Sequence, residues 1–376
     1  MNEESNFLFC TSGRFSLGIS VSNADRFLFP PQTISSVLLE RPMATIKDVA
    51  ALARVSYTTV SHVINNSRPV SKKARAGVEA AIRELNYLPS AVARSLRQRA
   101  TSTIGLLIPN STNPFFSELA RGIEDACYRN GYSVILCNSD DDPIRQEAYL
   151  RVLMERRIDG LIVGSTGHDP ILASMLKGAR VPLLIIDRPM PEVSADIVQA
   201  DHERGGYMAA KHLIDLGHQA IGFIGGPIHG SPTAERLKGF LSALREARIK
   251  IPRTWIAEAD FTSEGGYQAA IRLMKTHRPT AIFAGNDLSA IGALRFAAEK
   301  KIRVPEELSV IGFDGIELGR YIHPALTTID QSIRRLGEIA AATLIRAMSR
   351  ETGHPPENHS VEPKLLIRES TGPAPR

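Results

Sequence analysis

The sequence predicts a small all-α helix-turn-helix headpiece followed by an α/β body of two parallel-sheet subdomains. Three observations predict it. Positive charge is concentrated: residues 43–100 carry ten Lys or Arg against three Asp or Glu, whereas residues 101–376 carry 32 against 33. Within 43–88 apolar residues recur at helical spacing in three short stretches. From residue 103 onwards, apolar runs of five to seven residues alternate with longer amphipathic stretches, the pattern of strands buried between crossover helices.

At ~100–200 residues per domain, a chain of 376 residues has room for two or three domains. No apolar run approaches the ~20 residues of a membrane helix, so no membrane partner is expected. Cys10, Cys127 and Cys137 cannot build a disulfide framework, and no CxxC spacing offers a zinc site. A reducing cytoplasm, no metal and no cofactor are the expectation.

Residues 1–42 contain short apolar pieces, Phe7-Leu8-Phe9 and Phe27-Leu28-Phe29, broken by Gly13, Gly18 and Pro30-Pro31. They lack the basic start and the continuous ~7–15-residue apolar core of a secretory signal. They are expected to be a disordered extension or upstream sequence ahead of the true start. Residues 43–88 form the headpiece. Thr45 with Asp48 three positions on signals a helix start, and Val49, Ala50 and Ala53 give that helix its apolar face. A second helix begins at Ser56, with Val60, Val63 and Ile64 facing inward. Asn65 to Pro69 is a loop, and Ser71 caps a third helix buried through Ala74, Val78, Ile82 and Leu85. Residues 89–102 read as a short helical hinge and a linker. The second helix carries Ser56, Tyr57, Thr58, Thr59, Ser61 and His62 and no acidic residue. Hydrogen-bonding side chains on the second of two short helices joined by a tight turn suit base edges in a major groove.

In the body, 103–376, strands are expected at 103–109, 132–137, 159–164, 181–187, 219–225, 255–260, 280–285, 308–313 and 326–330. Helices are expected at 114–130, 142–157, 204–217, 233–248, 264–276 and 288–301. Ligands of open α/β sheets sit beyond the carboxyl ends of strands. Those ends carry Asn113, Phe115 and Phe116, then Asp187-Arg188, Phe261, Asn286-Asp287, Asp314 and Gln331. Carboxylates, amides and a guanidinium can pair with adjacent hydroxyls, and flat rings can cover an apolar C–H face. Together they describe a monosaccharide site. Taken singly, Asp287 reads as a helix cap, Phe115 or Phe116 as core and Arg188 as a surface charge.

The run Met43-Ala44-Thr45-Ile46-Lys47-Asp48-Val49-Ala50, continued by Val55-Ser56-Tyr57-Thr58-Thr59-Val60-Ser61-His62-Val63-Ile64-Asn65, resembles the headpiece of the lac repressor family. Pro89-Ser90-Ala91-Val92-Ala93-Arg94-Ser95-Leu96 resembles that family's hinge helix. With the body included, the resemblance covers roughly residues 43–370 and places the start at Met43. It implies that Tyr57, Thr58 and His62 read base edges of double-stranded operator DNA while Ser56 and Asn65 contact phosphates. Leu96 would wedge into the minor groove and kink the duplex, and Arg97 would add salt-dependent attraction. The family often has Gly or Asn at the turn position of Arg54, where a left-handed residue with a Cβ costs roughly 1–2 kcal/mol.

The family's body resembles periplasmic sugar-binding proteins, and this sequence is most similar to the ribose-operon repressors. Asn113-Pro114-Phe115-Phe116, Asp187-Arg188, Arg236 within Glu235-Arg236-Leu237-Lys238-Gly239-Phe240, Phe261, Asn286-Asp287, Gly312-Phe313-Asp314-Gly315 and Gln331 match that pattern. The resemblance implies that Phe115, Phe116 and Phe261 sandwich a sugar ring. Asn113, Asp187, Arg188, Arg236, Asn286, Asp314 and Gln331 would hold its hydroxyls. One Asn of the pattern is absent near Gly164-Ser165. Purine repressors are also similar, but their purine-reading arginine is missing from His229-Gly230-Ser231-Pro232.

An enzyme is not expected: the chain has no GxxxxGK[ST], GxSxG, HExxH or strand-linked GxGxxG. A secreted sugar-binding protein fits neither the basic headpiece nor the lack of a signal. The expected function is sequence-specific repression of transcription controlled by a pentose, D-ribose first; the alternative is a purine-responsive repressor. Two subdomains would clamp the effector and alter operator affinity through the hinge. No heptad repeat follows the body, so the resemblance implies a homodimer.

Overall fold

The structure, a computed structural model, describes residues 44–88, 100–164, 170–187, 190, 192–227, 232–276, 278–349 and 355–375. The chain divides into two compact units, Met1–Pro89 and Ser90–Arg376. The expectations for residues 1–42 and for the hinge segment Pro89 to Arg97 fall outside the described residues.

The first unit is built from α1 (Ile46–Ala53), α2 (Tyr57–Asn65) and α3 (Lys72–Glu84). Helices this short are marginal alone, so caps and a shared core decide whether they form. Thr45 and Asp48 make a reciprocal capping box: the Thr45 N–H donates to Asp48 Oδ2 at 2.7 Å, and Thr45 Oγ1 accepts from the Asp48 N–H at 3.3 Å. Ser56 and Ser71 cap α2 and α3 in the usual way, each accepting from the backbone three residues on. Arg54 closes α1 at φ 53°, the left-handed conformation expected for it. Val49, Ala50, Val60, Val63, Val78, Ala81 and Tyr87 form the core.

The second unit holds two six-stranded sheets. The first contains β1 (Thr103–Ile108), β2 (Ser133–Asn138), β3 (Gly160–Gly164), β4 (Leu183–Ile186), β5 (Asp196–Ala200) and β11 (Asn358–Val361), in the order β11-β5-β4-β3-β1-β2. The second contains β6 (Ile221–Gly225), β7 (Ile256–Glu258), β8 (Ala281–Ala284), β9 (Ser309–Asp314), β10 (Thr327–Asp330) and β12 (Lys364–Leu366), in the order β12-β10-β9-β8-β6-β7. All pairings are parallel except β10 with β12. The central strands β1, β3, β4, β6, β8 and β9 are buried almost end to end, as covered parallel strands must be.

Helices α4 (Pro114–Arg129), α5 (Pro143–Glu155), α6 (Pro170–Lys177) and α11 (Ile333–Met348) belong to the first half. Helices α7 (His202–Asp215), α8 (Pro232–Glu246), α9 (Ser263–Thr276) and α10 (Asp287–Glu299) belong to the second. The chain passes between the halves three times: after β5 into α7, after β10 through Gln331-Ser332 into α11, and from β11 into β12. Helices α7 and α8 pack closely because Gly206 and Gly239 face each other's backbone. A Cβ on Gly206 would stand 2.0 Å from the Arg236 carbonyl oxygen.

All nine expected strands have a counterpart, several of them shorter. Three strands were not expected. In β5 burial alternates from Asp196 on, so no continuous apolar run marks it, and β11 and β12 are partly exposed edge strands without one. No helix among the described residues is long and apolar enough to cross a membrane.

Candidate functional site

Each unit presents a candidate surface. In the first, α2 puts Tyr57, 65% exposed, and Thr58 in its first turn, with His62 one turn on. Val60 and Val63 fix the opposite face to the core. Part of the polar face is already engaged within the headpiece. Ser56 Oγ accepts from the Thr59 N–H at 3.1 Å, so its hydroxyl is chiefly a cap. His62 Nδ1 lies 2.9 Å from Ser67 Oγ, and Asn65 Nδ2 donates to the Ser61 carbonyl at 2.7 Å. Leu96 and Arg97 lie outside the described residues.

In the second unit, the carboxyl ends of strands from both sheets converge on one cavity of about 50 Å³. Asn113, Phe115, Phe116, Asp187, Arg236, Phe261, Asn286 and Asp314 all line it. It opens towards an outer chamber of about 370 Å³ through Asn113, Phe116 and Phe261. A larger cavity, about 930 Å³, lies at the amino-terminal ends of β1, β3 and β4 and contains none of these residues. Convergent polar groups, rather than volume, mark the smaller one as the site. Arg188 lies outside the described residues.

Two expected ligand-holding residues have other work. Gln331 is fully buried behind the cavity and does not line it; its Nε2 donates to Asp314 Oδ1 at 2.7 Å. It stands on the second crossover, where a strand-end position turns inward instead of towards the cleft. Asn286 lines the cavity, but its Oδ1 caps α10 and its Nδ2 donates to the Phe261 carbonyl at 2.9 Å. Its main effect is to hold Phe261.

That hold matters because three lining residues have left-handed backbones: Asp187 at φ 65°, Phe261 at 63° and Asp314 at 119°. Such conformations cost about 1–3 kcal/mol each and persist only where the surroundings enforce them. For Phe261 the enforcement is Asn286 together with Gly226, where a Cβ would stand 2.2 Å from the ring. For Asp314 it is Gln331, which also donates its backbone N–H to the Asp314 carbonyl at 3.1 Å.

A charged chain runs under the cavity floor. Asp187 Oδ1 is 3.2 Å from His202 Nε2, and His202 Nδ1 is 3.4 Å from Arg236 Nε and Nη2. Arg236 Nη1 donates to the Gly285 carbonyl and stands 3.7 Å from Asp314 Oδ1, while its guanidinium lies 3.8 Å over the Phe313 ring. Burial pushes the Asp187 carboxyl up, but His202 and Arg236 outweigh it and hold the group below the ordinary value. Asp314 goes the other way. Burial raises it, and the Asp287 and Asp187 carboxyls oppose Arg236, leaving it well above the ordinary range. Burial also lifts Asp287, to about 7, against hydrogen bonds from Thr328, Ile316 and Gly315. Burial lowers Arg236, while the surrounding carboxylates support its charge.

Asp287 is not the helix cap, which is Asn286. Its carboxylate accepts from the Gly315 and Ile316 N–H groups at 2.9 and 2.8 Å and from Thr328 Oγ1 at 2.5 Å. It thereby fixes the loop that carries Asp314. Sequence reasoning missed His202 altogether.

Against known proteins, residues 45–90 match the profile of bacterial regulatory proteins of the lacI family, and residues 210–371 match that of a periplasmic binding protein-like domain. The HTH-type transcriptional repressor PurR of Photobacterium profundum is 44% identical over 330 residues, 87% of this chain and 98% of its own. The crystal structure of the lac repressor dimer bound to operator and the anti-inducer ONPF superposes with a TM-score of 0.79. It is 30% identical and covers 88% of this chain and 99% of its own. A LacI family transcriptional regulator from Enterococcus faecium with bound ribose has a TM-score of 0.65 and 36% identity, covering 72% of this chain and 99% of its own. The expected likeness to ribose-operon repressors in particular is not what these names carry, since the curated relative is a PurR. At 44% identity along nearly all of that relative, the chain belongs to the lacI family of bacterial regulatory proteins, DNA-binding repressors that answer to a small-molecule effector.

Proposed function

We propose that this chain is a dimeric, cytoplasmic repressor whose operator affinity is set by a small polar ring bound between the two sheets of the body. One observation carries the reading: eight residues scattered from Asn113 to Asp314 line a single cavity. Phe115, Phe116 and Phe261 supply its apolar faces, and Asn113, Asp187, Arg236 and Asp314 supply its polar edges. A cavity of about 50 Å³ has space for a few waters rather than a ring ligand. Uptake would then be coupled to a parting of the halves, and closure over the ring would re-set their arrangement. Linkage then demands that the ring bind the operator-competent and operator-incompetent arrangements with different affinity.

The name of the 44% identical relative favours a purine nucleobase as that ring over the pentose expected from the sequence. The acceptor-only Asp187 carboxylate would take a ring N–H, and the phenylalanines would stack on both faces. D-Ribose is the second reading, favoured by the ribose-bound regulator from Enterococcus faecium at 36% identity. In the headpiece, Tyr57, Thr58 and His62 would read base edges and Ser56 and Asn65 would face phosphates. The hinge roles of Leu96 and Arg97 belong to the same proposal.

Calorimetric titration of the full chain with hypoxanthine, guanine and D-ribose, each followed by an operator gel shift, tests it. A purine that binds and strengthens the shift supports the first reading. Ribose that binds and releases the probe supports the second. Binding of none of them, with the operator shift insensitive to all, would overturn the effector assignment.

A further inference from the structure

We infer that His202 is the positioning residue of the effector site, a neutral imidazole with its proton on Nε2 that ties Asp187 of one half to Arg236 of the other. The inference rests on the effector reading of the cavity and goes beyond it, because His202 does not line that cavity and matches no residue expected to touch a ligand.

The geometry dictates the protonation pattern. A guanidinium has donors and no acceptor, so a ring nitrogen facing it must offer a lone pair. His202 Nδ1 lies 3.4 Å from both Nε and Nη2 of Arg236, which makes it the unprotonated nitrogen. The proton is then on Nε2, 3.2 Å from Asp187 Oδ1, an acceptor with no proton of its own to give. One ring thus donates to a carboxylate and accepts from a guanidinium at the same time. It is 1% exposed, and the Phe313 ring, 5.9 Å away between centroids, closes its third side.

Its place in the chain gives the bridge its effect. Asp187 follows β4 in the first sheet, Arg236 lies on α8 beside the second, and His202 opens α7 directly after the first crossover. Continued through Asp314 to Gln331, the polar chain ends on the second crossover. Two of the three passages that join the halves are therefore wired into the floor of the site. Asp187 is also one of the left-handed residues, and its only side-chain partners among the described residues are His202 and the Ala200 N–H at 3.4 Å. Without the imidazole, the Asp187 carboxylate keeps only the Ala200 N–H at 3.4 Å, and Arg236 loses the acceptor that faces its Nε and Nη2.

Two measurements on the full chain test this. Long-range ¹⁵N–¹H spectra of the free, histidine-labelled protein should show His202 as the Nε2–H tautomer; an Nδ1–H tautomer or an imidazolium at neutral pH overturns the bridge without reference to any ligand. Titrations with hypoxanthine and D-ribose then compare wild type, His202→Gln and His202→Phe. Glutamine can donate to Asp187 and accept from Arg236 together, whereas phenylalanine fills the space and does neither. The tighter-binding probe should lose roughly 10- to 100-fold in affinity with Phe, the effect of one lost bond to a charged group, and should regain most of it with Gln. Wild-type affinity in the Phe variant overturns the inference. If wild type binds neither probe, the effector reading fails while the tautomer still decides the bridge. If the Phe variant does not fold, the tautomer and the Gln variant decide it.

Discussion

The headpiece and the body recognise their partners from opposite starting points. The polar face of α2 is contiguous in sequence, from Ser56 to Asn65, exposed at Tyr57 and Thr58, and regular in backbone. The cavity of the body is assembled from residues as far apart as Asn113 and Asp314, is buried, and holds three left-handed residues and a chain of charged groups. A surface that reads DNA can be mounted on a stable helix without straining it. A site that must answer to a small-molecule effector stores strain and charge, held by residues behind it. Each unit is therefore fragile in a different place: the headpiece in its contacts, the body in its supports.

Four substitutions press on that difference. Arg236→Ala should do the most damage, since it leaves Asp187 and Asp314 buried without their cation. Removing one partner of such a pair costs about 3–5 kcal/mol, to be read as a fall in the urea midpoint together with loss of effector binding. A loss below about 1 kcal/mol would mean that the floor network does not hold the body together. His62→Ala should leave the urea midpoint almost unmoved and instead relax operator preference at a symmetric pair of base positions, by about 1–3 kcal/mol per contact. Competition gel shifts with operators changed at single positions would show it; equal weakening of every sequence would remove His62 from base reading. Arg54→Gly is the smallest effect and has the opposite sign. Arg54 is left-handed and exposed, so glycine should stabilise the headpiece by up to about 1 kcal/mol. Calorimetric melting of the full chain would register a higher headpiece transition. The same relief at Phe261, also left-handed, should instead remove an apolar wall of the site and reduce effector affinity.

Local signals explain what the sequence made legible. Thr45 with Asp48, Ser56 and Ser71 act within three residues of themselves, so the headpiece helices could be read without knowing the tertiary structure. Apolar runs marked every fully buried strand of the body, strand ends led to seven residues that line the cavity, and the family resemblance added Arg236. The omissions share a cause. Strand β5 alternates in burial and has no apolar run, so nothing in the sequence marks its carboxyl end, and His202 stands two residues beyond it. Gln331 shows the reverse error. Its position after β10 was right, but a strand end does not reveal whether a side chain turns into the cleft or behind it. Asp287 looked like a cap because the loop it secures, Gly315-Ile316, lies nearly thirty residues away.

The three passages of the chain between the halves also set the order in which a ribosome can complete them. The first sheet begins with residues 103–108 but takes its outer strand, β11, from 358–361, and α11, which packs on α4, is made only at 333–348. During synthesis β5 therefore presents an unpaired edge, the kind of edge that invites pairing with another chain, until nearly the whole protein has emerged. The second half, whose first helix begins at 202, waits equally long for β12 at 364–366. Neither half is a contiguous piece of chain, so the effector cleft is not complete until both late edge strands have been made, well after the headpiece that precedes it.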